Sequence, residues 1–172
     1  MSLNELAIKY NSDKAEDGGS HGYAPYYEQL LASRQVKALL EIGIHKGCSL
    51  YMWREFLPDA AIYGIDIDRQ WCEPFRDTPG IFVFWSDATR VNPIRGTMFD
   101  VIIDDGSHQP GDMIESFILF FPSLRPGGVY VIEDVPPECA EQLAKTTGGK
   151  IIEFPDLSCF HDDRLIVIEK EN

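Results

Sequence analysis

Basic residues are scarce: 15 lysines and arginines stand against 28 aspartates and glutamates in 172 residues, for a formal net charge of −13. Such a chain repels phosphate backbones and anionic headgroups, and no basic patch offsets the repulsion, so neither nucleic acid nor a membrane surface is an expected partner. Apolar runs are short, and none approaches the roughly 20 residues of a membrane span. The opening MSLNELAIKYNSDK lacks the basic-then-apolar order of a secretory signal. A cytoplasmic location is expected. Cysteines are few, and Cys48, Cys72, Cys139 and Cys159 form no C-x-x-C pair. That argues against a zinc knuckle or a disulfide framework and for reduced, structural thiols. Internal repeats, low-complexity tracts and interdomain linkers are lacking too.

What remains is 44% apolar and 12% aromatic, enough for one well-buried core and too short for two domains. Short aliphatic or β-branched runs alternate with helical stretches, the pattern of βαβ units and a parallel sheet covered on both faces. Strands are expected over Lys37–Ile44, Ala61–Ile67, Ile81–Trp85, Phe99–Asp104, Gly128–Asp134, Lys150–Phe154 and Arg164–Lys170. Helices are expected over Cys48–Phe56, Gln109–Phe121 and Glu138–Thr146, with two more near Leu3–Ile8 and Tyr26–Ala32; Pro122 and RPGG break the chain before the fifth strand. The expected fold class is α/β, one doubly wound, Rossmann-like domain with a seven-stranded, mostly parallel sheet. Within the single domain spanning 1–172, residues 1–36 form a helical lid segment and residues 37–172 the sheet core.

In open α/β sheets ligands bind beyond the carboxyl ends of the strands. Those positions are acidic and glycine-rich here. The loop EIGIHKGCS follows the first strand; Gly43 and Gly47 allow a tight turn, and the backbone through His45 and Lys46 can present N–H groups to a ligand. The loop has G-x-x-x-G rather than G-x-G-x-x-G, which weakens an NAD reading. Asp66 ends the second strand, where a carboxylate can accept both hydroxyls of a ribose. Asp87 and Ala88 follow the third, placed to hold an adenine. Glu41 completes an acidic rim that suits a positively charged cofactor better than a pyrophosphate.

In this order the residues resemble the class I S-adenosylmethionine-dependent methyltransferases: E-x-G-x-x-x-G, then a strand-end acid, then D-A. Beyond the fourth strand lies VIIDDGSHQPGD, and beyond the fifth IEDV. These two strands should be close near the sheet centre. Asp105, Glu133 and Asp134 can then supply three oxygens to one hard ion, Mg²⁺ or Mn²⁺ rather than zinc. Three clustered carboxylates otherwise repel one another. Methyl transfer to a hydroxyl needs its proton removed, and His108, at the start of the next helix, is the candidate base.

IDDGSH followed by GGVYVIEDV more narrowly resembles the metal-dependent sugar O-methyltransferases of macrolide biosynthesis, the mycinamicin and macrocin (tylosin) group. The resemblance implies metal binding by Asp105, Glu133 and Asp134, with Asp105 also bordering the cofactor, and proton abstraction by His108. It implies that NSDK and HGYAPYYEQL lead into the catalytic domain and fold over the cofactor, which adds Ser12, Lys14, His21 and Tyr23 as weaker pocket or lid candidates. The expected activity is transfer of a methyl group from S-adenosylmethionine to a hydroxyl of a sugar or polyol, in a small molecule or glycosylated natural product. A catechol-like acceptor is the nearest variant. Members of that group carry an extra N-terminal domain for which 172 residues leave no room, so a homodimer is an attractive way to complete the acceptor wall.

Two other classes compete: a NAD-dependent oxidoreductase, disfavoured by the missing third glycine, and a binding protein that retains the pocket without turnover. Several residues have plainer readings. His45 is expected to contribute only backbone, Asp104 to cap or brace a loop, Asp112 to be exposed, and His161 to sit in a turn. The aromatics of FVFW and FILFF are expected in the core. Tyr26 and Tyr27 divide, one packed and one near the pocket.

Overall fold

The computed structural model describes residues 1–16, 21–154 and 163–171. Seven strands form one sheet in the order β3-β2-β1-β4-β5-β7-β6, with β1 Ala38–Ile42, β2 Ala61–Asp66, β3 Ile81–Trp85, β4 Phe99–Asp104, β5 Leu124–Ile132, β6 Lys150–Glu153 and β7 Arg164–Glu169. The first five are parallel, while β7 runs antiparallel between β5 and β6. This is the doubly wound, mostly parallel α/β fold. The chain reverses its direction of travel between β1 and β4, and their carboxyl ends open the crevice where such sheets bind ligands.

Alternation along the central strands divides the core into two layers. Leu39, Val101, Ile103, Val129 and Val131 face α1 (Leu3–Tyr10), α2 (Ala24–Leu31) and α3 (Cys48–Phe56). Leu40, Ile42, Ile102, Tyr130 and Ile132 face α5 (Pro110–Phe120) and α6 (Pro137–Thr147). A parallel strand buried on both faces can be apolar at every position, as β1 nearly is, with Glu41 the exception.

Three expectations need correction. The fifth strand does not begin at Gly128: β5 starts at Leu124 and carries RPGG through an irregularity that jumps the pairing from Phe99↔Leu124 to Val101↔Val129. Gly127, at φ 74°, absorbs the bend. A short helix α4 (Arg69–Cys72), capped by Asp68, was not evident from the apolar pattern because it buries nothing. FVFW and FILFF are only partly core. β3 is an edge strand, which leaves Phe82 47% and Trp85 61% exposed, and Ile118 on α5 is 65% exposed while Phe120 is fully buried.

Candidate active site

A cleft of about 940 Å³ lies over the carboxyl ends of β1 to β5. Its lining includes Gly43, His45, Lys46, Asp66, Asp87, Ala88, Asp105, His108, His21 and Asp134. Among the described residues, the non-glycine positions with positive φ are Asn11, His45 and Asp134, and all three line this cleft. Backbone strain concentrated at one place is a mark of a functional site.

The wall beneath β1, β2 and β3 is organised by backbone N–H groups. Asp66 Oδ2 accepts from Ile44 N at 3.0 Å and from His45 N at 2.9 Å, and Oδ1 accepts from Asp68 N at 2.7 Å. His45 does contribute backbone, as expected, and its ring rests edge-on against Trp71. Asp87 Oδ1 accepts from Thr89 N and Thr89 Oγ1, and these bonds hold its carboxyl below the usual range. The two loop glycines have positive φ, but protein occupies the space a side chain would need. A Cβ at Gly43 would lie 2.0 Å from the Asp105 carbonyl oxygen, and one at Gly47 would lie 2.0 Å from the Phe75 ring. Gly43 therefore lets the β1 and β4 loops touch, and Gly47 seats α3 on the ring of Phe75.

The other wall is built from charges. Asp105, His108 and Asp134 bring one ligand atom each within 4.8 Å of one another. His108 Nε2 lies 3.8 Å from Asp105 Oδ1 and 3.6 Å from Asp134 Oδ2. Asp134 sits just past β5 at φ 51°, and Tyr23 donates to its Oδ1 at 2.7 Å. His21 Nδ1 is 3.3 Å from the same oxygen and 2.6 Å from Asp163 Oδ1. Burial, with the charge of Asp105, raises the Asp134 carboxyl to about 6.

Glu133 is not brought into that group. Its carboxylate turns inward, taking Tyr27 Oη at 2.5 Å on Oε1 and Lys14 Nζ at 2.7 Å on Oε2. Lys14 is likewise not on the cleft. It is buried, with Asp105 Oδ2 also at 2.7 Å and Glu41 Oε1 at 3.4 Å. The clustered carboxylates thus have a protein cation among them. Burial opposes ionisation of Asp105, but Lys14 and His108 outweigh it and hold its carboxyl below the usual range. Glu133 goes well above, because burial and the charges of Asp105 and Asp134 prevail over Lys14. Glu41 rises to about 7, chiefly by burial, despite Lys14 and a 2.7 Å bond from Ser49. Ser12 is buried and accepts from Lys14 N–H.

Asp104 is more than a loop brace. It is buried at the floor of the cleft, where Ser116 and Tyr130 donate to its Oδ2, and burial raises it to about 6. Asp112, expected to be exposed, is half-buried on the cleft and accepts from Ser107. Tyr27 is the fully buried tyrosine of its pair, and Tyr26 packs against it. Reasoning from sequence missed Ile67, Trp71, Thr89 and Arg90 on the cleft. Their places follow the strand ends but carry no motif. His161 and Cys159 lie outside the described residues.

A protein-family model described as a methyltransferase domain matches residues 40–135, which run from within β1 through β5 and include most of both walls. The chain belongs to this methyltransferase family. It is 39% identical over 144 residues to L-olivosyl-oleandolide 3-O-methyltransferase of Streptomyces antibioticus. It is 38% identical over 146 residues to mycinamicin VI 2''-O-methyltransferase of Micromonospora griseorubida. Each match takes in 77% of this chain and 36% of the relative. The chain thus spans about a third of the length of the curated relatives it matches. Among solved structures, the MycE methyltransferase of the mycinamycin biosynthetic pathway, in complex with Mg, SAH and mycinamycin VI, superposes with a TM-score of 0.73 at 29% identity. That match takes in 99% of this chain and 55% of that one. Among the described residues, no helix is long and apolar enough to cross a membrane.

Proposed function

We propose that this methyltransferase-family protein moves a methyl group from S-adenosylmethionine to a sugar hydroxyl of a small glycosylated molecule, with Mg²⁺ or Mn²⁺ as second cofactor. The observation that carries this reading is the meeting, in one cleft, of a wall of fixed backbone N–H groups and acids with a charged corner of Asp105, His108 and Asp134. The donor chemistry fits both cofactors. Carboxylate oxygens favour a hard divalent ion, and the added imidazole leaves Mn²⁺ as well suited as Mg²⁺. Glu41 is buried off the rim, but Asp66 and Asp87 keep the cleft edge acidic, which suits a sulfonium, and the cleft lies within the roughly 300–1,000 Å³ typical of small-molecule sites. The relatives' names and the Mg and SAH bound in MycE point the same way.

In this reading S-adenosylmethionine would supply an electrophilic methyl group, and a divalent ion held by Asp105 and Asp134 would supply positive charge that makes the acceptor hydroxyl more acidic. The protein does the rest. The backbone from Gly43 to Lys46, with Asp66, Asp87 and Ala88, holds and orients the cofactor. Asp105 and Asp134 hold the metal, with Glu133 standing behind them. His108 Nε2 takes the proton from the acceptor hydroxyl and releases it to solvent, for which its 42% exposed side chain is suited. Lys14, Tyr23 and Tyr27 reach the carboxylates from the N-terminal segment, which in this reading acts as the lid.

Calorimetric titration of S-adenosylmethionine into the protein, with and without Mg²⁺, tests the class. Binding followed by methylation of a sugar diol supports the proposal. Turnover of catechols but not sugars would move the acceptor class, and failure to bind in both buffers would overturn the proposal.

A further inference from the structure

Lys14 enters the interior on the segment between α1 and α2, where its side chain is 1% exposed. Its three carboxylate neighbours come from different strands: Glu41 from β1, Asp105 from the end of β4 and Glu133 from the end of β5. The backbone around it is fixed, since its N–H donates to Ser12 Oγ and its carbonyl accepts from Ala24 N at 2.8 Å. At 2.7 Å from Asp105 and Glu133 and 3.4 Å from Glu41, its ammonium is the cation these carboxylates share. Asp105 is divided by this contact: Oδ2 goes to Lys14, and Oδ1 is the oxygen nearer His108.

We propose that Lys14 is a resident counter-cation that weakens divalent-metal binding at this corner while aiming Asp105 into the cleft. A positive charge 2.7 Å from Asp105, one of the two carboxylates of the metal corner, repels an incoming divalent ion, and in a buried setting that repulsion is poorly screened. The same ammonium ties Asp105 to Glu133 and lies beside Glu41, so the fold already holds these side chains together without a metal. Metal occupancy is thereby left exchangeable rather than structural. Lys14 is a positioning residue, and the inference rests on the metal reading proposed above.

The test is Mn²⁺ binding at pH 8, followed by the paramagnetic signal of free ion and by the Mn²⁺-dependent rise in melting temperature. It compares the wild-type chain with Lys14→Met and Lys14→Arg. Lys14→Met should bind Mn²⁺ at least about 10-fold more tightly, melt lower without metal, and show a larger Mn²⁺-induced rise. Lys14→Arg, which keeps the charge, should stay within about 3-fold of wild type. If Lys14→Met does not fold, Lys14→Gln replaces it in the same comparison, since its amide can still donate to one carboxylate. A purely structural salt bridge lowers the melting temperature without tightening the metal. Wild-type binding with unchanged or weaker binding in the neutral variant therefore overturns this inference alone, whereas no Mn²⁺ binding in any variant overturns it together with the metal reading.

Discussion

The two walls of the cleft solve the same problem, fixing carboxylates in place, in opposite ways. On the β1–β3 side, Asp66 and Asp87 are satisfied by backbone N–H groups of their own or the adjacent strand end. On the β4–β5 side, Asp105, Glu133 and Asp134 depend on side chains brought from the N-terminal segment: Lys14, Tyr23 and Tyr27. Backbone donors are fixed by the fold and cost no side-chain entropy. Side-chain donors must be ordered, and their loss strands a buried charge. The first wall is thus a rigid cradle, and the second is an adjustable, high-energy corner suited to chemistry.

The sharpest way to break this contrast is at His108. Its replacement by alanine should lower turnover about 10²- to 10⁴-fold on an accepted sugar while leaving S-adenosylmethionine affinity unchanged, as steady-state kinetics and calorimetry can show. Equal turnover would move the chemistry away from the charged corner. Next in size is Gly43→Ala, which should cost about 3–5 kcal/mol in denaturant unfolding, since the new Cβ meets the Asp105 carbonyl at 2.0 Å and φ is +80°. Gly96→Ala is its control: φ is +92° with nothing within 4 Å, so only the backbone preference of about 1 kcal/mol is lost. Comparable losses would mean that the contact between the β1 and β4 loops is unimportant.

A third prediction concerns the buried floor of the cleft. The folded chain keeps a proton on Asp104 to about pH 6, whereas the unfolded chain releases it near the ordinary aspartate value. Its contribution therefore favours folding at low pH and is lost as pH rises through about 6, a change of roughly 2–3 kcal/mol. Asp104→Asn should flatten the stability profile over that window, which urea unfolding between pH 4.5 and 7 reads directly; an unaltered slope would assign it to other groups. The smallest effect is expected outside the cleft. Arg69→Ala removes an ion pair with Glu73 whose side chains are 62% and 51% exposed, and should change stability by less than about 0.5 kcal/mol.

The same contrast explains what could be read in advance. Asp66 was legible because a strand-end acid about 20 residues after a glycine loop finds its partners locally, at Ile44 and His45. The central strands were legible because apolar runs buried on both faces have few alternatives. Lys14 was placed near the cofactor by its motif, but its partners lie 91 and 119 residues away, and no local pattern encodes that meeting. The inward turn of Glu133 was hidden for the same reason. IED puts two acids past a strand without saying which faces the cleft, and Tyr27 and Lys14 draw one of them inward. Phe82 and Trp85 looked like core because strand composition does not reveal which strand lies at the edge.

By itself the sequence determined the element order, the glycine loop, the acids at the strand ends and the net negative field, all properties of residues near one another in the chain. Only the tertiary structure decided which acids face the cleft and which face a buried ammonium, because pairing across the ends of β1, β4 and β5 depends on strand order and on where the N-terminal segment packs.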